Sequence, residues 1–534
     1  RLVMSTSHAL GERRRKAHTK ELIGLIDRLY AKASTVDSDE RRERINGAIK
    51  TLEHRLYLLE GGPTGTGPAS TIIANATGCS SVYASTMPFN PYIDPWVNSL
   101  FQDAQPLAKG IFEGTAAQLV TDVKAMRLAE LELSDSYDPA VHDKQLTMLG
   151  WGDFTKPELD LMPTVLTIGG DGASYDIGFG AMSRILASDT PIKVMVLNSG
   201  VYSNTGGQAS TASLTAQDSD LSRFGSAHDG KHESRKELGP LASFHPHVFV
   251  CATSTAIQGH FLTNAMEFLR YTDAPAVLDI YTPCGSEHGI SEDASAARAR
   301  LAVESRMNPV FVHDPRRGST LHVWFSLEGN PDIEKTWTTT DLAYKDDDIQ
   351  LMKAALTPAE FALGETRFRK QFHRLPTDLE PVAVPMDEYI ELPKEQQASK
   401  VPFIWATDDD QKLIKVQCSA SIVSLVKDRR RYWQMLQHLS GVHEAQLTAL
   451  HTSDLKDLQA RYDEAMRARE NAIDEIANAM SSLASSSRAP VSLGSAIPVR
   501  PSGAGGMPGG AAPAAAPAEA ATAVIDAPIW LDEV

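Results

Sequence analysis

The sequence predicts an α/β protein: a parallel sheet covered by helices, with an N-terminal helical hairpin before it and a C-terminal helical extension after it. Three observations carry this. Between about residues 70 and 325, short β-branched runs alternate with helical patterns and glycine turns, the rhythm of parallel strands joined by helical crossovers. Apolar residues recur at helical spacing over 18–60 and again over 421–485, as amphipathic helices require. With 534 residues, 42% of them hydrophobic, the chain can bury more than one core.

The first segment, 1–62, reads as a helical hairpin insertion. Leu22, Leu25, Ile26 and Leu29 form one apolar stripe and Ile45, Ile49, Leu52 and Leu56 another, separated by Ser38-Asp39. Gly61-Gly62-Pro63 stops the second helix, because glycine caps it and proline cannot continue it. Residues 63–330 form the α/β domain, with strands expected at Thr71 to Ala74, Val165 to Ile168, Ile192 to Leu197, Val248 to Cys251 and Ala276 to Tyr281, and helices at Ala173 to Ala187 and Thr255 to Arg270. A mixed extension, 331–420, shows no firm period. The helical region 421–487 carries Leu447, Leu450, Leu455, Leu458, Tyr462, Met466, Ile473, Ile476 and Met480; without a sustained heptad it suits a bundle or a partner-facing helix. Residues 488–528 are an Ala/Pro/Gly-rich linker that cannot form a core, and 529–534 read as the start of a further domain.

Composition removes several function classes. The net charge of -17 opposes nucleic-acid binding through the overall field, and the short run Arg13-Arg14-Arg15-Lys16 reads as a solvated helix face. No apolar stretch is long enough for a membrane helix and no signal core opens the chain, so a soluble, cytoplasmic protein is expected. Four cysteines, Cys79, Cys251, Cys284 and Cys418, are too few and too scattered for a disulfide framework. Because the sequence begins at Arg1, it is expected to be an interior piece of a longer protein.

The chemistry concentrates in TIGGDGASYDIGFG, 167–180. A glycine turn at the carboxyl end of a parallel strand lets backbone N–H groups approach an anion such as phosphate. Asp171 beside that turn would repel phosphate unless a hard cation lay between them, and Mg²⁺ takes oxygens from both. Gly170-Asp171-Gly172 is followed by 25 residues and then Asn198-Ser199-Gly200, a strand-helix-strand spacing that sets both loops side by side. Taken alone, such a turn can equally serve close packing.

This spacing resembles the GDG-then-Asn signature of thiamine diphosphate enzymes. The segments ANATGCSS (74–81), DPWVNSLFQD (94–103), GGDGASYDIGFG (169–180), VYSNTGGQAS (201–210) and YTPCGSEHG (281–289) are similar to the thiamine diphosphate domain of the pyruvate:ferredoxin (flavodoxin) oxidoreductases and related 2-oxoacid oxidoreductases. The resemblance covers about residues 70–325. It implies a thiamine diphosphate-binding fold in which Asp171, Ser199 and the Val201 carbonyl hold Mg²⁺. Gly169, Gly170, Gly172, Ala173 and Thr205 would bind the cofactor, and Asn204 would contact the oxoacid. For Asn204 the alternative is a left-handed turn residue ahead of Gly206-Gly207. Ser199 stands where many thiamine enzymes carry Asn or Asp, which weakens the metal contact. Ser210-Thr211 stands where the family usually has Ser-Lys, which weakens any role assigned to a cation there.

The resemblance also makes Cys79 and Cys284 two of the four thiolates of a 4Fe-4S cluster, with the others expected from a C-x-x-C pair upstream of Arg1. Cys251 and Cys418 read as core and His288 as a hydrogen-bonded loop histidine. The implied reaction is CoA-dependent oxidative decarboxylation of a 2-oxoacid, foremost pyruvate, with ferredoxin or flavodoxin as electron acceptor. The glutamate that activates thiamine belongs in this family to a separate pyrimidine-binding domain, which no stretch here resembles. It would lie upstream or on another subunit, the full-length chain forming a homodimer, and this chain alone would not turn over. The linker and APIWLDEV (527–534) resemble the approach to a ferredoxin-like domain in fused relatives. Two other readings stand beside this one: a non-redox thiamine diphosphate decarboxylase or synthase, which leaves Cys79 and Cys284 without a task, and a non-catalytic assembly subunit.

Overall fold

The computed structural model describes residues 1–85, 90–100, 102–219 and 230–486; the expected linker and the segment after it lie outside them. The chain divides into two compact units, Arg1–His451 and Thr452–Val534.

The first unit is built on an eight-stranded sheet of order β2-β1-β3-β4-β6-β5-β7-β8. Its strands are β1 (Thr71–Ala76), β2 (Trp96–Ser99), β3 (Thr164–Gly170), β4 (Lys193–Asn198), β5 (Phe249–Ser254), β6 (Ala276–Tyr281), β7 (Phe311–His313) and β8 (Phe325–Ser326). The first six are parallel; β7 and β8 are antiparallel additions at one edge. All five expected strands are present. They read as continuous apolar runs because both faces are covered. Val165, Val194 and Val196 share one core with Phe112, Leu119 and Trp433, while Leu166, Ile168 and Met195 share another with Phe249, Phe261 and Phe268.

Helix α1 (Leu2–Thr35) and helix α2 (Asp39–Glu60) form the expected hairpin. Ser38 caps α2 by accepting from the Arg41 amide at 3.3 Å, which satisfies one of the free N–H groups of the first turn. A short α3 (Cys79–Ala84) follows β1, and α4 (Ala104–Leu133) covers the sheet. The hairpin packs on α4 through Leu22, Leu29, Ile45 and Leu52 against Ala125 and Ala129. Glu132 of α4, 1% exposed, accepts from Arg41 at 2.7 Å and Arg44 at 3.0 Å, so α2 is also pinned by a charged contact with little water around it.

Residues 331–420, which showed no period, hold a hairpin of β9 (Thr338–Lys345) and β10 (Ile349–Leu356) and a second sheet. That sheet has order β11 (Phe372–Arg374), β14 (Leu413–Cys418), β13 (Val401–Thr407), β12 (Ala383–Pro385). The helix Ala420–Leu439 joins both cores, placing Trp433 and Leu436 in the first and Ile422, Leu425 and Val426 in the second. The helix Glu444–Ser486 leaves Leu455, Leu458, Tyr462, Ile473, Ile476 and Met480 exposed. Among the described residues no helix is long and apolar enough to cross a membrane.

Candidate functional site

Strand β1 has β2 on one side and β3 on the other, so the loops leaving β1 and β3 diverge and open a crevice at their carboxyl ends. A cavity of about 240 Å³ lies there. Residues from the loops after β1, β3, β4 and β6 line it: Cys79; Gly170, Asp171, Gly172 and Ala173; Ser199, Val201, Asn204 and Thr205; and Cys284. Of the expected site residues only Gly169 is off the cavity wall.

Asp171 follows β3 and leads into a single π-helical turn, Gly172–Asp176. Its side chain is 1% exposed. One oxygen, Oδ1, accepts from the Ser199 amide at 3.3 Å and the Ser199 hydroxyl at 3.1 Å, and Oδ2 accepts from the Ser210 hydroxyl at 2.7 Å. These partners are all neutral, and burial pushes the Asp171 carboxyl up to about 6. The Ser199 hydroxyl also lies 3.1 Å from the Val201 carbonyl and 2.9 Å from the Ser203 hydroxyl. A carboxylate, a hydroxyl and a carbonyl thus adjoin one another without a balancing positive charge, an oxygen set that a hard cation fits. Ser199 is held from behind: its carbonyl lies 2.8 Å from Nε2 of buried His288.

The glycines differ in what surrounds them. A Cβ on Gly169 would press on those of Ala76 and Ala173 at 3.3 Å, so this glycine serves packing between β1, β3 and the following turn. On Gly172 it would stand 2.1 Å from the Tyr202 ring, which is fixed by the Tyr202 hydroxyl donating to Asp176 at 2.7 Å. On Gly170 it would meet nothing nearer than the Leu197 carbonyl at 3.9 Å. Gly170 therefore leaves open, on the cavity wall, space that a side chain would fill.

Asn204 is exposed in the single turn Ser203–Thr205 at the cavity mouth, and the left-handed conformations fall on Gly206 and Gly207. Asn198 is absent from the wall. Its amide donates to the Tyr175 hydroxyl at 2.7 Å, and that hydroxyl donates to Asp279 at 2.6 Å, so it braces the sheet end beneath the site. Where a lysine was missing from the motif, the Thr211 amide donates to Asp176 at 3.1 Å. Thr77, Tyr83, Tyr202 and Thr282 also line the cavity. Three of them sit within the motif segments, but no spacing rule singled them out.

Cys79 begins α3 and Cys284 follows β6. Burial, then Cys284 and Asp171, push the Cys79 thiol up. Cys251 and Cys418 are buried elsewhere in the sheets, and burial raises both thiols. Among the described residues no group of three or more His, Cys, Asp or Glu is placed to hold a metal. The cavity offers two thiols.

Residues 157–277 match the family model of the thiamine pyrophosphate enzyme, C-terminal TPP binding domain. The chain is 31% identical over 290 residues to a probable pyruvate-flavodoxin oxidoreductase of Escherichia coli (strain K12), covering 49% of this chain and 24% of that one. It is 29% identical over 342 residues to the pyruvate:ferredoxin oxidoreductase of Moorella thermoacetica, covering 56% and 27%. It is 32% identical over 293 residues to the mitochondrial pyruvate dehydrogenase [NADP(+)] of Euglena gracilis, covering 46% and 15%. The chain thus spans about a quarter of the length of the first two relatives. The cavity at the ends of β1 and β3 therefore lies in a chain that carries a thiamine pyrophosphate-binding domain and is a relative of the pyruvate:ferredoxin (flavodoxin) oxidoreductases.

Proposed function

We propose that this chain is the thiamine diphosphate-binding part of a 2-oxoacid oxidoreductase that uses pyruvate and coenzyme A and delivers electrons to ferredoxin or flavodoxin. The observation that carries the reading is a single cavity joining the oxygens of Asp171, Ser199 and Val201 to the thiols of Cys79 and Cys284. The 3.1 Å separations from Ser199 Oγ to Asp171 Oδ1 and to the Val201 oxygen match the spacing of about 3 Å between neighbouring oxygens around an octahedral Mg²⁺ with ~2.1 Å bonds. Asp171, Ser199 and Val201 would hold that ion, and Gly170 would leave room for the diphosphate. The Asn204 amide, at the mouth, would donate to the oxoacid without titrating.

Bound thiamine diphosphate would supply the electron sink for decarboxylation and an iron–sulfur cluster the one-electron steps. Cys79 and Cys284 would supply two of the four thiolates of a 4Fe-4S cluster. The remaining two thiolates, and the carboxylate facing the aminopyrimidine, would come from residues beyond these 534, on the same polypeptide or a partner subunit. Arg1–Met4 share a second cavity with Tyr83 and Thr282, which also line the first.

Calorimetric titration with thiamine diphosphate tests the cofactor assignment. One equivalent is expected to bind in a Mg²⁺-dependent manner, and Asp171→Asn is expected to weaken binding by roughly a hundredfold while leaving the cofactor-free protein at least as stable. Binding that ignores both chelator and the substitution would end the reading.

A further inference from the structure

The helical hairpin takes no part in the chemistry above, yet it closes over a cavity of about 630 Å³. The cavity reaches Ser70 and Pro163, which precede β1 and β3. It therefore sits at the opposite ends of those strands from the thiamine site, about 20 Å away by strand length. Its walls come from α1, α2, α4 and the glycine-rich loop 61–70.

Two glycines bring the hairpin this close. A Cβ on Gly11 would stand 2.1 Å from the Cβ of Ser70, and one on Gly67 (φ +73°) 2.5 Å from the Arg15 guanidinium. That guanidinium donates to the Thr66 carbonyl at 2.9 Å, fastening the loop to α1.

The polar groups left inside are one-sided. Arg14 pairs with Asp160 at 3.2 Å and Arg15 with Glu12 at 2.6 Å. Arg55 reaches Asp122 only at 3.6 Å, and its buried Nε has no hydrogen-bond partner. His18, 4% exposed, has no hydrogen-bond partner at either ring nitrogen; the exposed Glu21 carboxylate lies 4.0 Å from its Nδ1. Burial and Arg55 push His18 down to about 4. The unmatched groups on this wall are a guanidinium N–H and an imidazole, and no carboxylate oxygen is among them. The two carboxylates on the wall, Asp122 and Asp160, are drawn toward Arg55 and Arg14, which leaves the Arg55 Nε–H and the imidazole N–H without a hydrogen-bond acceptor, and buried donors without acceptors are costly. Beside them Leu58, Leu119 and Met162 add an apolar wall, and the volume is that of a small-molecule site.

We propose that this cavity binds a small phosphorylated ligand of nucleotide size, its phosphate held by His18, Arg55 and Arg14 and its organic part lying on Leu58, Leu119 and Met162. The argument is independent of the thiamine reading. A ligand here touches α1, α2 and α4 together, so it ties the hairpin to the sheet and acts on the thiamine site only through the strands.

Hydrogen–deuterium exchange on the whole chain tests this, using ADP, inorganic phosphate and adenosine as probes without Mg²⁺. ADP and phosphate are expected to slow exchange in residues 11–18 and 54–67, and adenosine to have little effect. By calorimetry, Arg55→Gln and His18→Phe should each weaken ADP roughly tenfold or more, whereas Asp171→Asn should not. Protection confined to 170–173 and 199–205, no protection by ADP or phosphate, or unchanged affinity in folded Arg55→Gln protein would each overturn the proposal. Were that variant unable to fold, the exchange map of the unaltered chain would decide alone.

Discussion

Replacing Gly172 by alanine tests how the cofactor loop is built. The added carbon would stand 2.1, 2.6 and 2.9 Å from three atoms of the Tyr202 ring, where carbon contacts settle near 3.5–4.0 Å. The ring must therefore retreat by about 1.4 Å or more. It is not free to do so, because the Tyr202 hydroxyl donates to Asp176 at 2.7 Å and the Tyr202 amide to the Gln208 carbonyl at 2.9 Å. Overpacking costs about 1–3 kcal/mol and a lost hydrogen bond about 0.5–1.5 kcal/mol, so Gly172→Ala is expected to destabilise by about 1.5–4.5 kcal/mol in urea unfolding. Gly170→Ala, whose new carbon meets only the Leu197 carbonyl at 3.9 Å, should stay within about 1 kcal/mol of the original protein while weakening thiamine diphosphate binding. A double-mutant cycle isolates the clash: on a Tyr202→Ala background, Gly172→Ala should lose most of its cost. Equal stability of Gly172→Ala and the original protein, or strict additivity with Tyr202→Ala, would refute the reasoning.

Two further outcomes are expected. Lys193 on β4 is 2% exposed and donates to the Tyr271 carbonyl; burial foremost, with Arg14 and Arg316 against Asp273, pushes it down to about 7. Since the unfolded lysine titrates near 10.4, the unfolded state binds more protons between about pH 7 and 10, and stability should rise with pH across that window by at most about 4 kcal/mol. Urea unfolding of Lys193→Met should lose this slope and gain stability at pH 6; parallel curves for the two proteins would contradict it. His288→Phe removes the group beside the Ser199 carbonyl and should weaken thiamine diphosphate binding by roughly tenfold. His288→Gln, which can still donate, should recover most of it in the same calorimetric assay, and equal losses in both variants would deny a positioning role.

The five central strands were legible because each is a β-branched run buried on both faces and bounded by turn residues, so the periodicity needed no tertiary knowledge. Strand β2 was not: Trp96–Ser99 is half exposed at the sheet edge and has neither a continuous apolar run nor alternation. Strands β11 and β12 are three residues each, too short to show a period, and the sheet's core is shared with Ile422, Leu425 and Val426 of the helix Ala420–Leu439. For β11 and β12 that packing partner lies about 35–50 residues further on, outside any local window. The same limit applies within the site. Asp171 stood out by residue type beside a glycine turn, and Ser199, Cys79 and Cys284 only through the family resemblance, but Tyr202 became visible only as the ring that fills the space above Gly172.

Gly169, Gly170 and Gly172 are indistinguishable as letters, yet one admits the neighbouring alanines, one leaves the cavity wall bare and one admits a tyrosine ring. A motif of this kind therefore specifies a backbone path first and a ligand contact second. Asp171 is the position where the local physics runs against stability: a carboxyl taken out of water, met only by two serines and raised to about 6. Apolar packing would satisfy the fold better there, since a desolvated carboxylate without a cation is costly. Ser199 and Val201 extend the same oxygen surface. The departure from local consistency at Asp171 is of the kind that functional sites carry. It also predicts the direction of the Asp171→Asn experiment, in which affinity and stability move oppositely.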